Sequence, residues 1–248
     1  MHSKIRVVAV SYLNTKPMTY AFEQGAMTDR MQLEFKYPSL LADELISGRA
    51  NIGLVPVAMI PSIPNARVLS DYCIATEGEV ASVCIFSEVP MNEIEEIVLD
   101  YQSRSSVALT KILLQHHWKH HPQLSAAQPG YEDEVGGNKA ALIIGDRALM
   151  YRSRYKYIYD LGLTWKEMTG LPFVFAAWVA NIDLDEYFIT AFNQSIKDSL
   201  IDLEAIIKLH PFPQYDLNTY YKKNISYVLN EDKRRAIALF LKLIKEII

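Results

Sequence analysis

The residues of this chain that could do chemistry gather in short polar segments. They are Ser11-Tyr12-Leu13-Asn14-Thr15, Leu54-Val55-Pro56, Ser82, Ser103-Arg104-Ser105-Ser106, Gly145-Asp146 and Thr169-Gly170. Hydroxyls dominate, with one amide, and Arg104 is the cation among them. Most follow an apolar run and precede a helical pattern, which sets them at strand ends and helix N-termini. A helix N-terminus carries roughly half a positive charge and free N–H groups. A guanidinium adds a fork suited to a carboxylate. The set therefore suits a small carboxylate-bearing anion. Asp146 alone adds a carboxylate at a strand end, so a protein-derived general base has few candidates.

Other constellations are weaker. His116 and His120, like His117 and His121, stand four residues apart, a spacing that can hold zinc. No HExxH motif accompanies them and the sequence sets no third ligand, so a solvated helix end is expected. Gly136-Gly137-Asn138-Lys139 lacks the spacing of a phosphate-binding loop, and neither GxGxxG nor GxSxG occurs. Glu132-Asp133-Glu134 reads as a solvated loop. Trp165 and Trp178 read as core, with Trp165 also able to line a cleft. No metal and no cofactor are expected.

Composition narrows the class. Of 248 residues, 50% are hydrophobic and 22% charged, as in ordinary globular proteins. Lys and Arg number 25 against 29 Asp and Glu, a net charge of −4 without a basic block, which argues against a nucleic-acid partner. Cys73 and Cys84 lie in strand-like segments outside any CxxC pair, so buried, reduced thiols are expected. The longest apolar run, residues 171–180, contains Pro172 and falls short of the ~20 residues a membrane span needs. The apolar run at residues 7–10 is too short for a secretory signal. These features suggest a cytoplasmic chain with no membrane partner, present as a monomer or homodimer.

Stepping along the chain, residues 5–10 read as a buried strand and residues 16–24 as a helix, capped by Asn14-Thr15 with Pro17 in its first turn. Residues 33–37, 52–57, 80–86, 97–99, 141–144, 157–159 and 171–180 read as strands. Residues 40–46, a segment opened by Ser105 or Ser106 and running to His117, 164–168, 184–200, 203–209 and 232–247 read as helices. The opening alternation of strand and helix implies right-handed crossovers and a largely parallel sheet. Crossings between lobes are expected at residues 87–90 and 180–181. Residues 1–88 plus 181–248 would then form lobe one, with lobe two, residues 89–180, inserted. Such a cleft can close on a small ligand.

The segments listed first, together with Val57, Lys16-Pro17, Ile144 and the stretch from Asp160-Leu161-Gly162 through Trp165 to Phe173-Val174-Phe175-Ala176, resemble the chorismate dehydratases of the futalosine route to menaquinone. The resemblance covers residues 5–178 in order. Asn51, Glu79, Ala81 and Ser105 depart from the family pattern, and Ala81 removes a basic residue common there. The resemblance implies an α/β fold of two lobes, like type II periplasmic binding proteins, with mixed sheets, helices on both faces and a ligand cleft between the lobes. It implies a hydro-lyase that removes water from chorismate without metal or redox cofactor, giving 3-[(1-carboxyvinyl)oxy]benzoate. Asn14, Ser82 and Asp146 would be catalytic. Ser11, Tyr12, Thr15, Val55, Pro56, Ser103, Arg104, Ser105, Ser106, Gly145, Thr169 and Gly170 would bind substrate.

Two bases remain open on this reading, Asp146 or the substrate's own enolpyruvyl carboxylate oriented by Asn14 and Ser82. The second is favoured, because an ionised Asp146 would repel a dianion. A sister lyase of the same route, 1,4-dihydroxy-6-naphthoate synthase, carries a His after the corresponding lobe-two strand, where this chain has Gly145-Asp146-Arg147. A non-catalytic carboxylate-binding protein is the alternative of a different class.

Overall fold

In the computed structural model, which describes residues 4–247, the chain forms two mixed sheets with helices on both sides. Strand β1 (Ile5–Ala9) passes through α1 (Lys16–Glu23) to β2 (Met31–Phe35), and α2 (Pro38–Ile46) leads to β3 (Ile52–Pro56). β1 pairs parallel with both β2 and β3, as expected of strand–helix–strand units. Next come β4 (Arg67–Thr76), β5 (Val83–Ser87), β6 (Glu96–Leu99), α3 (Arg104–Leu113), β7 (Gln123–Ala126) and β8 (Lys139–Ile144). They are followed by α4 (Gly145–Tyr151), β9 (Tyr157–Asp160), α5 (Leu161–Thr169) and β10 (Phe173–Ala180). The C-terminal part comprises α6 (Glu186–Ile201), α7 (Leu203–Leu209), a single turn α8 (Leu217–Thr219), a wider π-turn over Tyr220–Asn224, β11 (Ser226–Val228) and α9 (Glu231–Ile247).

The sheet orders are β11-β4-β10-β3-β1-β2 and β7-β6-β8-β5-β9. This corrects the expected boundaries. Residues 1–88 would have put β5 in lobe one, and residues 89–180 would have put β10 in lobe two. Instead β5 lies between β8 and β9, antiparallel to both. β10 inserts antiparallel between β3 and β4. The chain therefore changes sheet between Thr76 and Val83 and again between Thr169 and Phe173. Apolar runs reveal strands but carry no record of which sheet supplies their partners.

Asp160 ties the first passage to the start of α5. Its carboxylate accepts the backbone N–H groups of Val80 and Ala81 (3.1 and 2.7 Å) on the first passage. It also caps α5 by accepting Leu163 N–H at 3.0 Å, satisfying a donor the helix cannot pair internally. Ala81 takes a left-handed φ of 62°, which ends the extended chain before Ser82, so the strand starts at Val83 rather than Val80. Gly162 packs against the same passage. A Cβ there would stand 2.5 Å from Thr76 Cγ2 and 2.6 Å from the Gly78 carbonyl oxygen.

The C-terminal helix seals the core. Phe240 of α9 meets Trp165 and Phe173 edge to face, with centroids 6.1 and 4.9 Å apart, geometries that aromatic quadrupoles favour. Trp165 is fully buried and donates its indole N–H to the Pro172 carbonyl at 3.0 Å, so it belongs to the core and not to a cleft. Cys73 and Cys84 are buried and unpaired with each other. No helix among the described residues is long and apolar enough to cross a membrane.

Gly162→Ala should test the tightness of the passage. Overpacking against main chain is expected to cost about 2–3 kcal/mol and to lower Tm by roughly 4–10 °C, read by thermal unfolding. An unchanged Tm would mean the close approach imposes nothing.

Candidate functional site

The end of β1 runs through Val10 and Tyr12 into a tight turn over Leu13–Thr15, which feeds α1. Thr15 sits at the N-cap, but its hydroxyl makes no capping bond and instead donates to Asn14 Oδ1 at 3.3 Å. On the facing sheet, Ser103 caps α3 by accepting the Ser106 N–H at 3.2 Å. The helix thus opens at Arg104, earlier than the expected Ser105 or Ser106. Between these elements lies a cavity, partly open to solvent, with about 590 Å³ of atom-free space when that open solvent is included. Its walls are apolar: Val10, Leu41, Leu54, Val83, Ile144 and Phe175 among others. Its polar groups come from Tyr12, Asn14, Gln102, Ser103, Ser106 and Gly145. Among the described residues no histidine and no carboxylate line it.

The expected site residues divide into three groups. Tyr12, Asn14, Pro56, Ser103, Ser106 and Gly145 line the cavity. A second group is buried just behind. Ser82 lies between the lining residues Val80 and Val83, and its Oγ accepts the Tyr220 hydroxyl at 2.8 Å. Ser82's carbonyl accepts the Gly145 N–H at 2.8 Å. Thr15 is fully buried, Val55 packs with Val8 and Leu45, and Ser105 Oγ accepts the Ala58 N–H at 3.1 Å. Asp146, one of the two bases left open by the sequence, accepts the Leu13 N–H at 3.1 Å from the opposite sheet. Burial raises its pKa, opposed by that N–H and by Lys16.

The third group lies elsewhere. Ser11 lines an exterior groove with Phe35 and Tyr37. Arg104 is exposed and lines a surface groove with Lys111, Ile244 and Ile247. Thr169 donates to the Trp165 carbonyl at 2.8 Å, and Gly170 ends α5 in a left-handed conformation at φ 72°. None of these four lines the cavity.

The lining residue Gln102 is held by a cation that sequence reasoning missed, Arg147. Its guanidinium bonds Asp100 Oδ2 at 2.6 Å, Gln102 Oε1 at 3.2 Å and the Glu132 carboxylate. Glu132, expected in a solvated loop, is therefore buried and paired. Tyr12 completes the network by donating its hydroxyl to Gln102 Oε1. Burial, and then the charge of Asp100, raise the Tyr12 pKa, so Tyr12 stays a neutral donor. Burial also raises Asp100, although Tyr131 and Arg147 oppose it. Arg147 loses solvation too, yet Asp100, Tyr131 and Glu132 outweigh that loss and raise its pKa. The signal for Arg147 was its place one residue after Asp146, within the first turn of α4.

Two tyrosines from the C-terminal part were also missed. Tyr220 reaches Ser82, and the Tyr227 hydroxyl donates to the Asn14 carbonyl at 3.1 Å. The histidine segment forms a helix end, with His120 Nε2 2.7 Å from the Ile94 carbonyl oxygen. Among the described residues no group of three or more potential ligands could hold a metal ion.

Such a pocket can desolvate a flat apolar ring and grip its acidic substituents with neutral donors. A family described as menaquinone biosynthesis matches residues 5–246. The chain belongs to that family. This member of the menaquinone biosynthesis family is 26% identical over 236 residues to the chorismate dehydratase of Thermus thermophilus, covering 82% of this chain and 83% of the relative. A crystal structure of a protein from Archaeoglobus fulgidus superposes with a TM-score of 0.75 at 13% identity, covering 99% of this chain and 98% of that one. A Candida albicans protein described as having the generic periplasmic binding protein fold gives a TM-score of 0.60 at 12% identity, covering 99% and 90%. At these identities the two structures establish the fold, a periplasmic-binding-protein-like α/β architecture.

Arg147→Met should expose the charge balance of the network. Asp100 and Glu132 would lose their buried partner, at a cost of about 3–5 kcal/mol near neutral pH. Without the guanidinium the Asp100 pKa rises further above its unfolded value, so protonation of Asp100 favours the folded variant as pH falls. The deficit against the parent protein should narrow between about pH 7 and pH 5 in denaturant unfolding. A pH-independent deficit would contradict this.

Proposed function

We propose that this chain is a chorismate dehydratase, converting chorismate to 3-[(1-carboxyvinyl)oxy]benzoate and water. The observation that carries this reading is the cavity itself: apolar walls, neutral donors at the N-terminus of α3 and on Asn14, and no lining carboxylate among the described residues. Similarity to the dehydratase of Thermus thermophilus supports the same reaction.

The chemistry follows from the substrate. The proton to be removed sits on the ring carbon that bears the enolpyruvyl ether, and the ring carboxylate acidifies it through the intervening double bond. Its electron pair enters the ring as an extended enolate and then forms the new ring double bond as the neighbouring C–O bond breaks. The departing hydroxide takes up a proton and leaves as water, and the ring becomes aromatic. Donors fixed near the ring carboxylate lower the barrier by stabilising the developing charge. Ser103 and Ser106, at a helix N-terminus, suit that task.

The base is the remaining question. Asn14 and Ser82 are not bases near neutral pH, and the Asp146 carboxylate is engaged by the Leu13 N–H in a tie between the sheets. These facts favour the substrate's enolpyruvyl carboxylate as base, held in reach of the proton by Asn14 and Ser82. Asp146 then acts as a tie between the two sheets. Arg104, Ser11, Thr169 and Gly170 have no part in this reading.

Protein mixed with chorismate should consume it and release the aromatic enol ether, followed chromatographically. Asn14→Ala and Ser82→Ala should each lower kcat by about 100-fold or more, with smaller changes in KM. Asp146→Asn should retain most of kcat. Loss of turnover in Asp146→Asn alone, with binding intact, would make Asp146 the base. Chorismate binding by the parent protein without turnover would assign a solute-binding role, the alternative that the shared fold favours.

A further inference from the structure

We infer that Tyr220, carried by the C-terminal π-turn, is a positioning residue that orients the Ser82 hydroxyl for the dehydration. This rests on the proposed reading of Ser82 and extends it to a part of the chain that carries none of the other site groups.

Three observations support it. First, the contact is direct and dry. Tyr220 is fully buried, and its hydroxyl donates to Ser82 Oγ at 2.8 Å across 138 residues of sequence. Second, the turn is built to hold Tyr220 in place. Asp216 caps it by accepting the N–H groups of Asn218 and Thr219 at 3.1 Å. Asn224 accepts the Tyr215 hydroxyl at 3.0 Å and donates to the Glu79 carbonyl at 3.2 Å. The turn therefore grips the passage between the sheets at Glu79 as well as at Ser82. Tyr215 and Tyr221 pack on the Tyr220 ring at 6.1 and 5.6 Å.

Third, the donor–acceptor arithmetic gives the contact a direction. A serine hydroxyl has one proton and two lone pairs. With Tyr220 donating into one lone pair, Ser82 spends its own proton as a donor. Within the protein the acceptor is the Val80 carbonyl at 3.4 Å, a long bond that a substrate oxygen at the neighbouring cavity wall can replace. Burial raises the Tyr220 pKa well above the ordinary phenol value, so the phenol keeps its proton and its donor role. Without that proton Tyr220 would be an acceptor, and the Ser82 hydroxyl would turn its own proton toward it and away from the cavity.

The test is a double-mutant cycle on the whole protein with chorismate as substrate. Tyr220→Phe removes one oxygen and keeps the ring. It should lower kcat about tenfold, the effect of one hydrogen bond, with KM changed less than about twofold. In a Ser82→Ala background the same change should have no further effect on kcat, because Tyr220 acts through Ser82. Tyr215→Phe, on the same segment, serves as the structural control and should keep parental kcat. A Tyr220→Phe variant with parental kcat overturns the inference. So does a loss that adds fully to that of Ser82→Ala, or an equal loss in Tyr215→Phe, either of which indicates a merely structural effect. Absence of turnover in the parent protein instead removes the dehydratase reading, and the inference falls with it.

Discussion

Leu13 N–H reaches Asp146, Ala58 N–H reaches Ser105 Oγ, and the Tyr12 hydroxyl reaches Gln102. Each bond joins an element that follows a strand of the six-stranded sheet to one that follows a strand of the other. Without them the polar loop after β1 would not face the N-terminus of α3, and the cavity would be an open cleft. Water can replace every one of these bonds, so each contributes only about 0.5–1.5 kcal/mol net. Bonds of this size tie the two sheets together around the cavity without locking them.

The placement of charge follows from the same enclosure. A buried, unpaired cation in the cavity wall would be expensive before substrate arrives. Arg147 is instead paired with Asp100 and Glu132 behind the wall, and it presents Gln102 and, through it, Tyr12 to the cavity. Anion binding then relies on hydroxyls, an amide and a helix N-terminus, whose dipoles are fixed in advance. On the proposed reading, neutral donors would hold a dianion without neutralising its carboxylate, leaving that carboxylate basic enough to take a proton from the ring it is tethered to.

Much of this was legible in the sequence. The β1 loop, the serines opening α3 and the glycine after β8 lie at the cavity as their positions after strands implied. The assignment of Arg104 was not sound, and helix geometry explains why. Ser103 and Ser106 stand three residues apart and share a face, whereas Arg104 is rotated about 100° from its neighbour and points outward. The sheet memberships of β5 and β10 were illegible because both strands pair antiparallel with distant segments, and periodicity does not encode partners. Tyr220 and Tyr227 were missed for a related reason. Their contacts with Ser82 and Asn14 span 138 and 213 residues, and local pattern carries no trace of such distances.

The most direct test is a crystal structure of the Asn14→Ala protein with unreacted chorismate bound. The ring should lie between the two sheets, against Leu54, Ile144 and Phe175, with one carboxylate within hydrogen-bond distance of Ser103 and Ser106. A ligand held in the exterior groove by Arg104 and Lys111, with the space between the sheets empty of it, would contradict the account.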